Sequence, residues 1–232
     1  MKANLILLLM GMMMMPLMAQ QPANPNAKVD TRTMGPYDKV KAGKGINVTL
    51  VESNKEEIVI HILNAEPEDV ITQLEGKTLV LKMKTMMKTG VAVTAYVHYK
   101  KITELHAGGG ASIDADGTVT ADKLTLSVGA DASIELDVDV KKLEASLTAG
   151  RIQLIGEAQA QHVVANTAAR YNADALTSQE AFVKVNTGAQ ATVNVSERIS
   201  ATAGGGGRIY YMGNPAKVEK SESFGGKVEP QE

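Results

Sequence analysis

The sequence contains no cysteine and no tryptophan, and only two of its 232 residues are phenylalanine. Without cysteine the chain can form neither disulfides nor thiolate-ligated zinc or iron–sulfur sites, and thiol catalysis is excluded. An aromatic share of 3% leaves no stacking platform for nucleic acid bases. A formal net charge of −2 removes the attraction to a phosphate backbone on which nucleic acid binding depends. We therefore expect no nucleic acid partner.

Residues 1–19 have the three parts of a secretory signal peptide. Lys2 supplies the positive charge, an apolar stretch runs from Leu5 to Met15, and a small residue, Ala19, stands at the cleavage point. The stretch is shorter than the ~20 residues that a spanning helix needs, so cleavage is favoured over a membrane anchor. Because no cysteine follows, we expect an exported protein of the periplasm or cell surface that is not a lipoprotein.

The segment after the predicted signal is polar. Residues 20–34 begin with QQPANPNAK, a proline-containing composition typical of a flexible linker. No later apolar run is long enough to cross a bilayer, so we expect no transmembrane segment in the mature chain.

Residues 35–100 predict strands with one short helix. Apolar and polar residues alternate along 46–50, 58–62, 79–83 and 91–99, as in half-buried strands. Asn64, followed by the acidic, proline-containing segment 66–69, is typical of a helix N-terminus. Gly76 would end this helix. Its apolar face would consist of Val70, Ile71 and Leu74.

From residue 101 to 212 the sequence repeats with a period near 20. The clearest copies are GADASIEL from Gly129 and GAQATVNV from Gly188. A first apolar column consists of Ile113, Ile134, Ile152, Tyr171, Val193 and Ile209. A second consists of Leu124, Leu143, Val163, Val183 and Ile199, and a third of Leu126, Ala145, Ala165, Val185 and Ala201. Strand alternation at this period predicts stacked β-coils.

The predicted fold is therefore all-β, a single-domain parallel β-helix, or solenoid, of about six coils. Its coils occupy residues 101–212, behind the strands and helix of 35–100. A closing tail follows at 213–229, and the general preference of parallel crossovers predicts a right-handed coil. We expect the N-terminal strands to cover one end of the solenoid and Tyr210-Tyr211 to cap the last coil.

Three segments carry a resemblance to a known family. Gly45-Ile46-Asn47 opens the first strand, LHAGGGASI opens the repeats at 105–113, and Gly213-Asn214-Pro215 stands near the end. Together they resemble the auto-transporter adhesin head GIN domain, a family of exported bacterial envelope proteins, over residues 35–229. The resemblance implies a β-helical adhesin-like domain without a catalytic motif. We expect a non-catalytic binding module whose partner is a glycan, an envelope protein or a second copy of itself.

The acidic residues are the strongest candidates for chemistry. Asp114 and Asp116 have the spacing of a calcium-loop start, but the twelfth position is Thr125, where such a loop needs Glu. Asp137 and Asp139 share a strand face, as acidic pairs do in polysaccharide-degrading β-helices. A carbohydrate-active lyase or hydrolase is therefore the main alternative. A solvated strand face is the simpler interpretation, so we assign no catalytic residue.

The remaining candidates do not form a site in the sequence. The histidines are scattered at His61, His98, His106 and His162, so we predict no metal site. Gly204–Gly207 lacks the Lys-Ser/Thr of a phosphate-binding loop and is read as a coil corner. We expect no cofactor. A third hypothesis is a structural scaffold whose solenoids assemble end to end.

Overall fold

The computed structural model describes residues 26–85, 89–129 and 131–231, so the predicted signal peptide lies outside the described residues. The elements in this part of the chain are strands and one three-residue 3-10 turn, Pro67–Asp69. The strands of the N-terminal half are β1 (Lys28–Thr33), β2 (Lys39–Ala42), β3 (Asn47–Glu52), β4 (Glu57–Leu63), β5 (Val70–Glu75), β6 (Thr78–Met83), β7 (Ala92–Tyr99), β8 (Glu104–Ala107) and β9 (Ser112–Asp116). Those that follow are β10 (Thr118–Gly129), β11 (Ser133–Thr148), β12 (Arg151–Asn166), β13 (Arg170–Val185), β14 (Gln190–Ala203), β15 (Arg208–Met212), β16 (Lys217–Glu222) and β17 (Lys227–Pro230).

These strands stack in parallel as a β-solenoid of about seven turns, which confirms the predicted fold class. Face 1 consists of β6, β2, β8, the ends of β10 to β14, and β16. Face 2 consists of β7, β3, β9, the starts of β11 to β14, β15 and β17. Face 3 is shorter and joins the start of β10 to the middle of β11, β12 and β13. Paired exposed residues such as Lys141-Lys142 interrupt the alternation where face 3 meets face 1.

The first coils are stacked out of chain order. β2 pairs with both β6 and β8, and β3 pairs with both β7 and β9. The coil made by β2 and β3 therefore lies between two coils that come later in the chain. Beyond β7, strands β4 and β1 add antiparallel, and β5 adds antiparallel to β6. The prediction that N-terminal strands cover one end is confirmed, and the parallel edge there is closed.

Arg32 joins the two covering strands of this end. From β1 its guanidinium donates hydrogen bonds to the carbonyl oxygens of Pro67 and Val70, each 2.8 Å long. A third goes to Oγ1 of Thr72 at 2.9 Å, and Asp30 accepts one from Nε at 2.8 Å. The strand that covers face 2 is thereby tied to the turn and strand that cover face 1.

The predicted short helix is wrong. Only Pro67–Asp69 is helical, and the next six residues form β5, paired with β6. The consecutive β-branched residues Val70-Ile71-Thr72 favour an extended chain over a helix. Asn64 lies in a turn with φ +58°, where its side chain donates to the carbonyl oxygen of Gly90, so it does not cap a helix.

The solenoid extends beyond residues 101–212. At its start, β2 and β3 already form a coil, and part of the expected linker 20–34 is strand β1. At its end, the expected closing tail forms β16, which stacks on β14, and β17, which stacks on β15. Tyr210 and Tyr211 therefore lie in the coil before the last one instead of capping it.

All three predicted interior columns contain residues that are shifted by two positions, and in the third column these are Ala165 and Val185. Leu143 lies beside Gln161 and Ala181 rather than Val163 and Val183, which follow Leu126 and Ala145 in the next column. In the first column Ala191, not Val193, continues from Tyr171 to Ile209. Strand alternation repeats every two residues, so a shift of two keeps every apolar side chain inside and leaves the sequence pattern unchanged.

The corrected register places a polar side chain in the core. Gln161 is fully buried and donates from Nε2 to Oγ of Ser178 at 2.8 Å. Its Oε1 accepts the hydroxyl of Tyr171 at 2.9 Å, and Ser178 donates onward to the carbonyl oxygen of Asn194 at 2.8 Å. Burial raises the pKa of the Tyr171 hydroxyl well above its usual value. Hydrogen bonds within the cluster therefore satisfy its buried polar groups. The cluster lies where the pairing of β13 with β14 shifts register.

Left-handed residues turn the chain from face 1 to face 2 in each coil. The pairs Lys44-Gly45, Thr167-Ala168, Thr187-Gly188 and Phe224-Gly225 all have φ between 48° and 77°. Gly204–Gly207 is one of these turns, closed by a hydrogen bond from the Gly207 amide to the Gly204 carbonyl, so the predicted coil corner is confirmed. Such conformations cost little only in glycine, and their recurrence shows that coil stacking overrides local preference.

We predict that Gly156→Ala destabilises the fold by about 3 kcal/mol. Gly156 has φ +105°, and a Cβ there would stand 2.2 Å from the Val138 carbonyl oxygen. Gly188→Ala is the control, because φ is +71° but no atom lies within 4 Å of its Cβ; about 1 kcal/mol is expected. Chemical unfolding of both variants measures the difference, and equal losses would contradict the close approach of the coils.

We predict that Tyr171→Phe costs about 1–2 kcal/mol in free energy of unfolding, because Oε1 of Gln161 then stays buried without its donor. Tyr210→Phe, a half-exposed position two coils further along, is expected to change stability by less than about 0.5 kcal/mol. Equilibrium unfolding in urea compares the two. A neutral Tyr171→Phe would show that the buried cluster is not formed.

Candidate functional site

Several outward charges on face 1 form ion pairs, either within one strand or between neighbouring coils. Lys39 forms an ion pair with Glu104 at 2.9 Å. Glu144 forms ion pairs with Lys123 at 2.7 Å and with Lys142 at 2.8 Å. These hydrogen bonds lower the pKa of Glu144 to about 2. Further along, Glu219 receives Arg198 at 3.1 Å and Lys217 at 2.8 Å. The fold therefore already neutralises these charges of face 1.

A shallow depression lies between face 3 and face 1. It is lined by Lys39, Lys101, Thr103, Glu104, Asp122, Lys123 and Thr125. Asp122 pairs with Lys141 at 2.6 Å, which lowers the pKa of Asp122. Its charged groups are largely committed to ion pairs, so the depression offers little free chemistry.

The ring side chains of face 1 form a small stacked cluster that was not predicted from the sequence. His162 stacks on Phe182 of the next coil with ring centroids 6.3 Å apart. The Arg198 guanidinium lies 5.7 Å from the centroid of the Phe182 ring. The signal was present in the sequence, since His162 and Phe182 stand 20 residues apart, one repeat, at outward positions.

The predicted acidic candidates are divided between two faces. Asp114 and Asp116 lie in β9 on face 2, whereas Asp137 and Asp139 lie on face 3. Asp137 accepts a hydrogen bond from Oγ1 of Thr118 at 3.0 Å. Within the described ranges no three acidic or histidine side chains are placed to hold a metal ion. The structure does not bring these four carboxylates together in one groove.

Asp114 has the most perturbed environment among them. Burial raises its pKa and the charge of Glu135, on the neighbouring coil, raises it further, whereas a hydrogen bond with Thr49 opposes the shift. Two neighbouring carboxylates of this kind are a minimal requirement for acid–base chemistry. Ser112 and Ser133, two residues before Asp114 and Glu135, supply neither a cationic stabiliser nor an aromatic platform.

Face 2 carries a column of basic side chains that the sequence reasoning also missed. We call Arg151, Arg170, Gln190, Arg208 and Lys227 the basic ladder; they occupy one outward position in successive coils. All five are exposed. Each is the first strand residue after a coil turn, and this position was the available signal. Within the described part of the chain, no ion pair or hydrogen bond involves the side chains of the three arginines.

The sequence of the chain is similar to that of a known protein family. Residues 36–215 match the family described as "Putative auto-transporter adhesin, head GIN domain". The chain belongs to this family. The resemblance carried by Gly45-Ile46-Asn47 and the glycine-rich coils is thereby confirmed, and Asn47 opens β3 on face 2. Family membership implies an exported envelope protein of the adhesin type.

Solved structures share the fold of this head GIN chain. A "putative adhesin" from Bacteroides fragilis is 18% identical, with a TM-score of 0.79 over 90% of this chain and 99% of that one. A "putative adhesin" from Parabacteroides merdae is 18% identical, with a TM-score of 0.71 over 90% and 98%. A "putative lipid binding protein" from Parabacteroides distasonis is 17% identical, with a TM-score of 0.71 over 90% and 98%. No curated protein matches the chain.

The membrane expectation concerns helices. Across residues 26–85, 89–129 and 131–231, no helix has the length and apolar character needed to cross a bilayer.

We predict that Glu144→Gln lowers the free energy of unfolding by about 0.5–1 kcal/mol at pH 7, and by less as the solution is acidified. A carboxyl group whose folded pKa is lowered from 4.5 to about 2 stabilises the fold above pH 4.5 and loses this effect as pH falls towards 2. Thermal unfolding from pH 2 to 7 measures the difference. The control is Glu157→Gln on face 3, since no ion pair holds Glu157 within the described chain. Its stability should depend on pH as that of the parent protein does. A stability difference between Glu144→Gln and the parent that stays constant with pH would refute the pairing.

Proposed function

We propose that the protein is a non-catalytic binding module of the cell envelope that presents an outward face of the solenoid to a glycan or protein partner. The carrying observation is the register: polar side chains at one position of each coil form straight columns on face 2. A repeating partner can bind such columns at several coils together, which multiplies weak contacts. Export through a cleaved signal at residues 1–19, without lipid attachment, is part of this proposal.

The distribution of titratable groups supports binding over catalysis. A hydrolase or lyase places its acid, base and stabilising groups around one bond. Here the acidic candidates occupy two faces, and the carboxylate of Glu144 on face 1 is paired with two lysines. The adhesin family to which the chain belongs points the same way.

The ends of the solenoid favour binding through its sides over end-to-end assembly. Antiparallel β1 and β5 close the N-terminal end. At the other end the edge strands β16 and β17 read KVEKSE and KVEP. Short edge strands with charges and proline resist pairing with another chain. A scaffold that grows by stacking coils would need an apolar, unprotected edge.

A glycan and envelope-component array probed with purified mature protein tests the binding function. We expect saturable binding to one class of polymer or protein, reproduced with the isolated component in solution. Protein that has been unfolded in urea and stays unfolded during the assay is the matched control. Absence of saturable binding to any component would refute the binding function.

A polysaccharide panel tests the absence of catalysis. We expect the mature protein to release neither reducing ends nor unsaturated sugars. The variants Asp114→Ala and Asp137→Ala, one from each acidic face, should give the same baseline. Product formation by the parent that disappears in either variant would establish the enzyme alternative instead.

A further inference from the structure

We propose that the basic ladder binds a linear polysaccharide with a carboxylate on its repeating sugars, a uronic acid polymer. The inference rests on the proposed binding function and names its ligand class and surface. It depends on the geometry of the ladder, its lack of partners and the residues beside it.

The ladder is a straight single file of positive charge. Arg151 stands directly opposite Arg170, Gln190 follows, and Arg208 stands directly opposite Lys227. At the strand spacing of about 4.8 Å, the file is roughly 19 Å long. A guanidinium pairs with a carboxylate through two parallel hydrogen bonds, so a row of them suits a chain of carboxylates.

These charges are placed at a cost to the fold. Like charges directly opposite across two strands are destabilising, and the ladder contains two such pairs. On face 1 the same problem is solved with Glu144 and Glu219 between the cations. On face 2, in the described residues, the only ion pair of the ladder joins Lys227 to Glu229 at 4.0 Å. A conflict that the fold leaves uncompensated is typical of a functional site.

The neighbouring column supplies hydrogen-bonding groups for a sugar. Two residues along each strand the outward positions are Gln153, Asn172, Thr192 and Tyr210, again in register. Their amides and hydroxyls suit sugar hydroxyls. Neither column contains an aliphatic side chain for insertion into lipid, and Tyr210 alone is not a stacking platform for nucleobases.

Acidic residues limit the site at both ends. Towards the N-terminus the ladder position becomes Ser133 and Ser112, and the neighbouring column becomes Glu135 and Asp114. Towards the C-terminus the neighbouring column ends in Glu229. A polyanion would be repelled beyond these points, so the footprint covers the coils from β12 to β17 and a few sugar units.

Polygalacturonate and its fully methyl-esterified form test the proposal, because they share a backbone and differ in charge. By calorimetry, we expect the parent protein to bind the first and not the second. Arg151→Gln/Arg170→Gln should bind about 25-fold more weakly, about fivefold per arginine. Gln190→Arg, which fills the gap in the ladder, should bind about fivefold more tightly. Equal binding of both polymers, or no effect of either variant, would overturn the proposal.

Two controls separate the ladder from net charge and from lipid. Lys123→Gln/Lys142→Gln removes the same charge from the paired face 1 and should leave the affinity unchanged; an equal loss would mean non-specific attraction. Vesicles containing phosphatidylglycerol should not bind. Vesicle binding that depends on Arg151 and Arg170, without polygalacturonate binding, would assign the ladder to a membrane surface and refute the inference.

A stability measurement distinguishes binding from structure. At low salt Arg151→Gln/Arg170→Gln should melt at the same temperature as the parent or higher, because a repulsive pair is removed. A lower melting temperature would make the arginines structural and contradict their assignment to a ligand. If the array finds another ligand while uronic acid polymers fail to bind, only the ladder assignment falls; if nothing binds, the binding function falls with it.

Discussion

Everything in this molecule depends on the in-register stacking of narrow coils. Each interior position touches the same position of the coils above and below, so a side chain is limited by the room between two strands. Ile, Leu, Val and Ala fill these columns, with Tyr171 as the largest fully buried side chain. The scarcity of aromatic residues in the sequence is therefore a requirement of this packing. The same register aligns the outward residues in columns, so the packing of the core also determines the arrangement of side chains on the surface.

The class of fold could be predicted because alternation and a period near 20 are both visible in the sequence. The lateral register could not be predicted, because an alternation with a period of two residues is unchanged by a shift of two residues. Gln161 shows the reason: a search for apolar columns passes over it, takes Val163 instead, and displaces the column. Only the partners of Gln161, namely Ser178 and Tyr171, reveal that a polar residue belongs inside.

The N-terminal region and the surface columns were harder to predict for another reason. Pro67 and the acidic residues beside it look like a helix start, yet the β-branched residues that follow pair with β6, a partner that local sequence does not identify. The arginines of face 2 are 19 and 38 residues apart, so that no local motif contains two of them. Their alignment becomes visible only once the turns that precede them are superimposed.

The insertion of β2 and β3 between later coils has a consequence for how the chain reaches its fold. Synthesis and export deliver the N-terminus first, but these strands have no parallel neighbours until β6 to β9 have followed. Coils from β10 onward can instead add one upon another in chain order. Assembly is therefore expected to nucleate in the regular repeats, and the end that leaves the ribosome first is completed late.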